Sequence, residues 1–478
     1  MSWETVIGLE VHVQLNTRSK IFCPCPTTFG DPPNTNVCPV CLGLPGALPV
    51  LNREAVRKAV RAALALGFSL DRDVSVFARK NYFYPDLPKG YQISQFDQPL
   101  AKAGSLSILS PERGAVSIAI TRLHLEEDAG KSFHDRVPGM TAIDFNRAGV
   151  PLIEIVSEPE LRSPAEARLY LVTLKQVLEY LEISDCNMEE GSLRVDANLS
   201  VRPAGDRLGT KQEVKNMNSF AAVERSLTLL RDRQIATLTR GQPVALTTFS
   251  AASGELHPLR SKEESHDYRY FPDPDLNRLS LSRSGIQVGA EREGLPELPG
   301  AKRARLVKVH GLPPYEAEVL AATRGLADYF EKVVSEGPSP KSVSHWVIGP
   351  LLADANDHGG HFRVRPARLA ELISLVERGR VSYQAGKRVL GEIAEHDAPA
   401  AAVAERLGLF QVADVDQLSG WVDLVMQTHA DAVARFRKGE GKVLGFLVGA
   451  VMKQSGGRAD PKRVQAILQE KLNGPAAR

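Results

Sequence analysis

The residues best suited to chemistry in this sequence are carboxylates and an imidazole in strand-like segments. Glu10 and His12 alternate with apolar residues, which places them on one face of a strand, about 7 Å apart. Glu154 lies inside the apolar run Val150–Val156, where a buried carboxylate needs an ion pair or a metal. Carboxylates with one imidazole suit magnesium that bridges substrate phosphates. The alternative for each acid alone is an ordinary salt bridge.

Three consecutive acids, Glu126, Glu127 and Asp128, end another strand-like segment. The apolar face of the segment 123–128 switches within it, so the alternation does not decide which acid points inward. The residue pattern therefore leaves all three open as metal ligands.

Four cysteines form two chelating pairs on a loop rich in proline, glycine and asparagine: Cys23, Cys25, Cys38 and Cys41. Four thiolates on turns suit a closed, structural, tetrahedral zinc site. The C-x2-C spacing of the second pair is typical of such sites, whereas the C-x-C spacing is less specific. Four reduced thiols are the alternative, although free cysteines usually prefer burial. We interpret the fifth cysteine, Cys186, as a plain thiol.

Segment 79–91 combines cations, aromatic rings and turn residues. We predict contacts with ATP or substrate from Arg79, Lys80, Asn81, Tyr82 and Tyr84. Arginine and lysine suit phosphate, and tyrosine can stack on a base; the alternative is a loop packed onto the core by its aromatic rings. The sequence contains no G-x-x-x-x-G-K-[ST] loop, so the predicted ATP site is of another type.

The patterns along the chain that carries these groups predict an α+β fold, in which a strand-rich part precedes a helical part. Alternation predicts strands over Thr5–Leu15 and Leu193–Val201, and helical spacing predicts helices over Arg53–Leu66 and Pro164–Leu181. Further helices are predicted at Ala301–His310, Pro314–Ala322, Leu369–Arg378, Gln384–Ala394 and Pro461–Leu472. We predict a strand-rich catalytic domain over 1–292, a helical domain over 293–406 and a small helical tail domain over 407–478.

Composition indicates a soluble globular protein of several domains, because 43% of its 478 residues are hydrophobic and 24% are charged. No apolar run approaches a membrane span and no signal peptide is seen, so we expect a cytoplasmic protein without a membrane partner. Residues 431–478 carry ten Lys/Arg and four Asp/Glu, a net charge of +6. This basic tail indicates a polyanionic partner, although a solvated helical surface is the alternative.

Longer strings carry a family resemblance over nearly the whole chain: Val6–Val13, Asn36–Gly46, Arg79–Ser94, Leu125–Lys131, Met188–Arg194, Lys215–Phe220, Asp267–Leu276 and Lys442–Lys453. With these strings the sequence resembles the B subunits of the bacterial aspartyl/glutamyl-tRNA amidotransferases. The resemblance implies a cradle-like catalytic domain, a helical domain and a small helical tail that binds tRNA.

The resemblance also implies a reaction, a site and partners. The family uses ATP and magnesium to phosphorylate the side-chain carboxylate of Asp-tRNA(Asn) and/or Glu-tRNA(Gln), and ammonia then displaces phosphate. A partner amidase A subunit releases that ammonia from glutamine, and a small C subunit completes a heterotrimer, so the enzyme is a carbon–nitrogen ligase. The magnesium ligands implied here are His12, Glu127 and Glu154 with Glu10 adjacent; Lys80 joins the catalytic set, and the four cysteines match the family's zinc site. The alternative is a non-catalytic tRNA-binding scaffold subunit.

Overall fold

A computed structural model describes residues 2–70, 73–251, 254–261, 268–412 and 414–473. Asp267, which opens one of the family strings, and Arg478 of the basic tail lie outside the described residues. The chain divides into two compact units, residues 1–298 and residues 299–478.

The first unit is rich in strands, as the sequence predicts. Its strands are β1 Trp3–Gln14, β2 Val74–Ser75, β3 Ala78–Asn81, β4 Tyr91–Ser94, β5 Ala101–Ser110, β6 Gly114–Glu127, β7 Lys131–Val137, β8 Met140–Asp144, β9 Pro151–Ser157, β10 Leu193–Pro203, β11 Gln212–Lys215, β12 Thr247–Ser250, β13 His257–Ser261, β14 Phe271–Pro272 and β15 Leu279–Ser280. Its helices are α1 Arg53–Ala65, α2 Pro164–Tyr180, α3 Phe220–Thr239 and α4 Val288–Glu293.

Eight of these strands form one mixed sheet in the order β13-β12-β11-β10-β1-β9-β6-β5. Strand β1 lies near the centre, antiparallel to both β10 and β9. Its odd-numbered side chains, from Ile7 to Leu15, are buried in the main apolar core, as the alternation predicts. Helices α1, α2 and α3 pack against strands of this sheet, which leaves the other face of the sheet to polar residues.

The predicted helices α1 and α2 are confirmed to within one residue at each end. The Ser163 hydroxyl caps α2 by accepting a hydrogen bond from the Glu166 N–H at 3.2 Å, and Pro164 occupies the first turn. Helix α3 was not predicted. Its buried face includes Val223 and Leu227, but Leu229 is exposed, and this apolar residue on the wrong side blurs the helical period.

The second unit consists of helices: α5 Pro299–His310, α6 Pro314–Leu320, α7 Arg324–Ser335, α8 Pro340–Trp346, α9 Leu352–Asp357, α10 Pro366–Glu377, α11 Tyr383–Glu395, α12 Ala400–Arg406, α13 Val415–Thr428, α14 Ala430–Arg437, α15 Val443–Gln454 and α16 Pro461–Asn473, with a π-helical turn at Val347–Leu351. Its described residues form no strand longer than an isolated bridge. The α+β prediction is confirmed.

The second unit contains two separate apolar clusters, one within residues 306–409 and one within 418–472. The first unit extends to Leu298, beyond the predicted boundary at 292, because α4 packs on α1 and both Leu295 and Leu298 pack on the first core. The division into three domains stays a prediction. Among the described residues, no helix has both the length and the apolar character needed to cross a membrane.

Candidate active site

The polar face of the large sheet lines a cavity of about 710 Å³. Side chains two residues apart on one strand share a face, and adjacent strands bring several such pairs together. The strands contribute Glu10 and His12 from β1, Arg122, His124 and Glu126 from β6, Glu154 from β9, Arg194, Asp196 and Asn198 from β10, and Glu213 and Lys215 from β11. The cavity therefore presents carboxylates, imidazoles and cations on one rigid surface.

Three of these side chains converge as a potential metal site. His12 Nε2 lies 3.5 Å from Glu126 Oε1 and 3.3 Å from Glu154 Oε2. Register explains part of this arrangement, because His12 is paired with Glu154 across β1 and β9. One ligand atom from each residue lies within 4.8 Å of the others, so the three side chains form a group that could hold a single divalent ion.

Glu127, the ligand that the family resemblance implies, is not in this cluster. Its Oε1 accepts a hydrogen bond from the Ile93 N–H at 2.9 Å and forms an ion pair with Lys89. One residue along a strand reverses the direction of the side chain, so Glu127 points away from the face that carries Glu126. Glu126 rather than Glu127 therefore shares the cluster with His12 and Glu154, and the identity of the metal ligands stays a prediction.

The third consecutive acid, Asp128, lines the cavity but is already engaged. Its oxygens accept hydrogen bonds from Arg194 at 2.9 Å and from Gln14 at 2.8 Å. Glu10 also lines the cavity, beside the three-residue cluster, and its Oε1 accepts a hydrogen bond from the Asn198 amide at 3.1 Å. Burial, followed by the charges of Glu154 and Asp196, raises the pKa of Glu10.

The cluster holds its carboxylates ionised. Burial opposes the charge on Glu126 and Glu154, but the neighbouring imidazoles outweigh it and lower both carboxyl pKa values. Burial likewise opposes protonation of the two histidines, yet the same carboxylates raise the pKa of His12 and raise that of His124 to about 9. Two buried carboxylates therefore face the cavity beside two imidazoles, and Arg122 also lies 3.5 Å from Glu154 Oε1.

Two of the five residues predicted to contact ATP or substrate line the cavity, namely Lys80 and Tyr82. The Lys80 Nζ lies 4.9 Å from the centre of the Tyr268 ring, a cation–π contact. No carboxylate partner of Lys80 is found among the described residues. Lys80 is thus a cation in the cavity that an anionic ligand can approach.

The other three residues have different surroundings. Arg79 donates to Asp273 and Asp275, at 2.8 Å in each case, so its guanidinium is engaged within the protein. Asn81 donates its amide N–H to the carbonyl of Arg269 at 2.8 Å, and Tyr84 is exposed outside the cavity. Arg79 and Asn81 hold the segment that carries Lys80.

Several lining residues had no role predicted from the sequence, among them Arg122, His124 and Lys215. Arg122 and His124 could have been identified from the sequence, because they alternate with apolar residues along β6 and so share a face with Glu126. Lys215 forms ion pairs with Asp196 and with Glu213, and these charges outweigh burial to raise its pKa. That pairing joins β11 to β10 and could not be read from local alternation.

Comparison with known proteins decides the family. A model described as the GatB/GatE catalytic domain matches residues 5–287, and one described as the GatB domain matches residues 328–472. Two proteins named as B subunits of aspartyl/glutamyl-tRNA(Asn/Gln) amidotransferase, from Moorella thermoacetica and Geotalea uraniireducens, are each 49% identical to this chain. Both alignments cover 99% of this chain and 100% of the relative. The chain belongs to this family of amidotransferase B subunits.

For an amidotransferase B subunit, the position of the cavity is informative. All residues that line it fall within the catalytic-domain match. The family matches confirm the family predicted from the sequence strings. They also support an amide-forming enzyme subunit over a scaffold that only binds tRNA.

The four clustered cysteines of this amidotransferase B subunit fit a tetrahedral metal. All four Sγ atoms lie within 4.8 Å of one another, and those of Cys38 and Cys41 are 3.9 Å apart. A tetrahedron with Zn–S bonds of about 2.3 Å has S–S edges of about 3.8 Å. The buried Lys20 donates to Cys41 Sγ at 3.6 Å and to the Asn36 carbonyl at 2.6 Å, which places a positive charge beside the thiolates.

Proposed function

We propose that this chain activates the side-chain carboxylate of Asp-tRNA(Asn) and/or Glu-tRNA(Gln) with ATP and converts it into the amide. The observation that carries the proposal is the convergence of His12, Glu126 and Glu154 in one cavity. Lys80 lines the same cavity and has no carboxylate partner among the described residues. Metal-binding carboxylates beside cations are the arrangement that phosphoryl transfer requires.

The proposed reaction has two steps. A carboxylate is a poor electrophile, so its oxygen first attacks the γ-phosphorus of ATP, ADP leaves, and an acyl phosphate forms. Ammonia then attacks the acyl carbon, and inorganic phosphate leaves as the amide loses a proton. Neither step requires a protein nucleophile, because both depend on positioning and on stabilisation of charge.

His12, Glu126 and Glu154 are the proposed magnesium ligands, with Glu10 beside them. Magnesium, when bound, neutralises negative charge on the transferring phosphoryl oxygens. Magnesium is usually held by one or two carboxylates and completes its coordination with water and substrate phosphates, which fits two glutamates on the floor of an open cavity. Lys80, which lies beside the rings of Tyr82 and Tyr268 in the cavity, is proposed to contact the phosphates of ATP.

The four cysteines are proposed to hold structural zinc. A closed four-thiolate site leaves no coordination position for substrate, so it fixes the loop around Cys23 and Cys41 rather than reacting. Lys20 offsets part of the charge of the thiolates, which otherwise would be costly to bury.

The tail is proposed to bind tRNA. Its cations are mostly exposed, including Lys438, Lys442, Lys453, Lys462 and Arg463, and exposed lysines and arginines suit a phosphate backbone. The proposed partners are an amidase A subunit that supplies ammonia and a small C subunit, in a cytoplasmic heterotrimer that serves protein synthesis.

The decisive experiment separates carboxylate activation from nitrogen supply. A complex of this chain with an inactivated partner amidase is expected to amidate charged tRNA with ammonia, ATP and magnesium, but not with glutamine. The same complex carrying His12→Ala is expected to fail with either nitrogen source, because the acyl phosphate does not form. Normal ammonia-driven activity in the His12→Ala complex would refute the proposed site, and glutamine hydrolysis by this chain alone would refute the division of labour.

A further inference from the structure

A second imidazole contacts the same two carboxylates as His12. His124 is paired with Glu154 across β6 and β9, and its Nε2 lies 3.4 Å from Glu154 Oε2 and 3.6 Å from Glu126 Oε2. The His124 side chain is 4% exposed, whereas that of His12 is 21% exposed. Of the two imidazoles that contact these carboxylates, His12 is therefore the more accessible and His124 the more buried.

The two imidazoles contact different oxygens of Glu126. His12 approaches Oε1 and His124 approaches Oε2, so the carboxylate plane is fixed from both ends. Two carboxylates that converge on one point repel each other when no cation lies between them. His124 contacts Oε2 of both carboxylates and counters that repulsion. Ser94 also donates to Glu126 Oε2, at 3.2 Å, so Glu126 Oε1 is the oxygen next to His12.

The other ring nitrogen of His124 supports the same assignment. Its Nδ1 is buried and has no hydrogen-bond partner within the described part of the chain. Buried polar atoms usually have a partner, and leaving one without costs about 1–3 kcal/mol. A histidine that only filled space in the core would gain nothing from this arrangement, and the polar contacts of His124 are all made by Nε2 with the two carboxylates.

We propose that His124 is a positioning residue that holds Glu126 and Glu154 in the orientation required to bind a divalent cation together with His12. This inference rests on the proposed metal site, since it assigns a role to a residue that contacts two of the proposed ligands. Partners that orient metal ligands in this way typically contribute about 10- to 100-fold to metal affinity.

The test uses two substitutions that differ in where they place an amide. In His124→Gln the longer side chain carries its amide N–H₂ to about the position of Nε2, whereas in His124→Asn the amide reaches only the position of Nδ1. His134→Asn is the matched control, because His134 is an exposed residue of β7 whose Nδ1 lies 3.0 Å from the Thr141 hydroxyl. Binding of Mn²⁺ alone to each purified full-length chain is measured by electron paramagnetic resonance of the free ion.

His124→Asn is expected to weaken Mn²⁺ binding by about 10- to 100-fold, His124→Gln to recover most of the loss, and His134→Asn to match wild type. Circular dichroism checks that each variant is folded. Wild-type Mn²⁺ affinity in folded His124→Asn, together with weakened binding in His12→Ala, would overturn the role of His124 and leave the proposed metal site intact. Equal losses in both His124 variants would also overturn it, because the Nε2 contact would then not be the cause. Unchanged binding in His12→Ala would instead refute the metal site itself.

Discussion

Neutralising two adjacent glutamates, one at a time, separates catalysis from stability in this protein. Glu126 and Glu127 are consecutive on β6 and both buried, yet Glu126 contacts His12 and Glu127 forms an ion pair with Lys89. Glu126→Gln is expected to lower the rate of carboxylate activation strongly, with a smaller effect on stability, because imidazoles that lose this partner can release their protons. Glu127→Gln is expected to do the reverse, lowering stability while leaving the activity of the folded enzyme largely unchanged.

The magnitudes follow from what each side chain contacts. Glu126 is one of three candidate ligands, and a metal contributes several kcal/mol to stabilising charge in the transition state. Losing about 3 kcal/mol of that contribution corresponds to a decrease of more than 100-fold in rate, at about 1.36 kcal/mol for each factor of ten. In Glu127→Gln the Ile93 N–H keeps an acceptor, but Lys89 loses its counter-charge. The Lys89 and Glu127 side chains are 8% and 3% exposed, and breaking a buried pair costs about 3–5 kcal/mol.

Two measurements on the same preparations check this prediction. Ammonia-driven amidation of charged tRNA at saturating magnesium gives the rate, and the urea midpoint of the unfolding transition gives the stability. Substituting Lys89→Met together with Glu127→Gln is the control, because it removes both charges of the pair and is expected to recover much of the lost stability. Loss of activity without loss of stability in Glu127→Gln, together with wild-type behaviour of Glu126→Gln, would instead identify Glu127 as the ligand.

Three further predictions concern other parts of the chain. Purified protein is expected to contain close to one zinc ion per chain by elemental analysis; Cys41→Ser is expected to lower zinc content and thermal stability more than the rate of phosphorylation, and an absence of zinc after purification without chelators would contradict it. Lys80→Ala is expected to raise the KM for ATP in the amidation assay, and an unchanged KM would remove Lys80 from the phosphate site. Deleting residues 407–478 is expected to raise the Kd for tRNA and flatten its dependence on salt in a filter-binding series; unchanged binding would mean that the tail is an ordinary solvated surface.

Sequence patterns predicted those elements that depend on residues within the same short segment of chain. The alternation of residues 5–15 predicted β1, because one face of a central strand must enter the apolar core. Ser163 predicted the start of α2, because its hydroxyl caps the helix within the same stretch of sequence. The cysteine pairs predicted a cluster for the same reason, since each pair lies on one short loop.

Helix α3 shows what local patterns omit. Its buried Gln234 accepts a hydrogen bond from the Val201 N–H at 3.0 Å and donates to the Leu199 carbonyl at 3.2 Å. From the sequence alone, a glutamine such as Gln234 is expected at the surface, although here it hydrogen-bonds to the backbone of β10. Arg79 is a second example, because a cation in a loop predicts phosphate binding until its partners, Asp273 and Asp275, are known.

The three consecutive acids at the end of β6 show why the sequence alone did not single out one candidate metal ligand. Strand parity puts Glu126 and Asp128 on one face and Glu127 on the other, but all three are buried, so burial alone does not identify the functional one. Partners distant in sequence decide, since Lys89 neutralises Glu127 and Arg194 neutralises Asp128. Glu126 is the acid of the three whose charged partners are imidazoles. An imidazole that pairs with a carboxylate can also coordinate a bound metal or orient the carboxylate that does. Among these three acids, therefore, the partners that other strands and loops supply single out Glu126 as the candidate ligand.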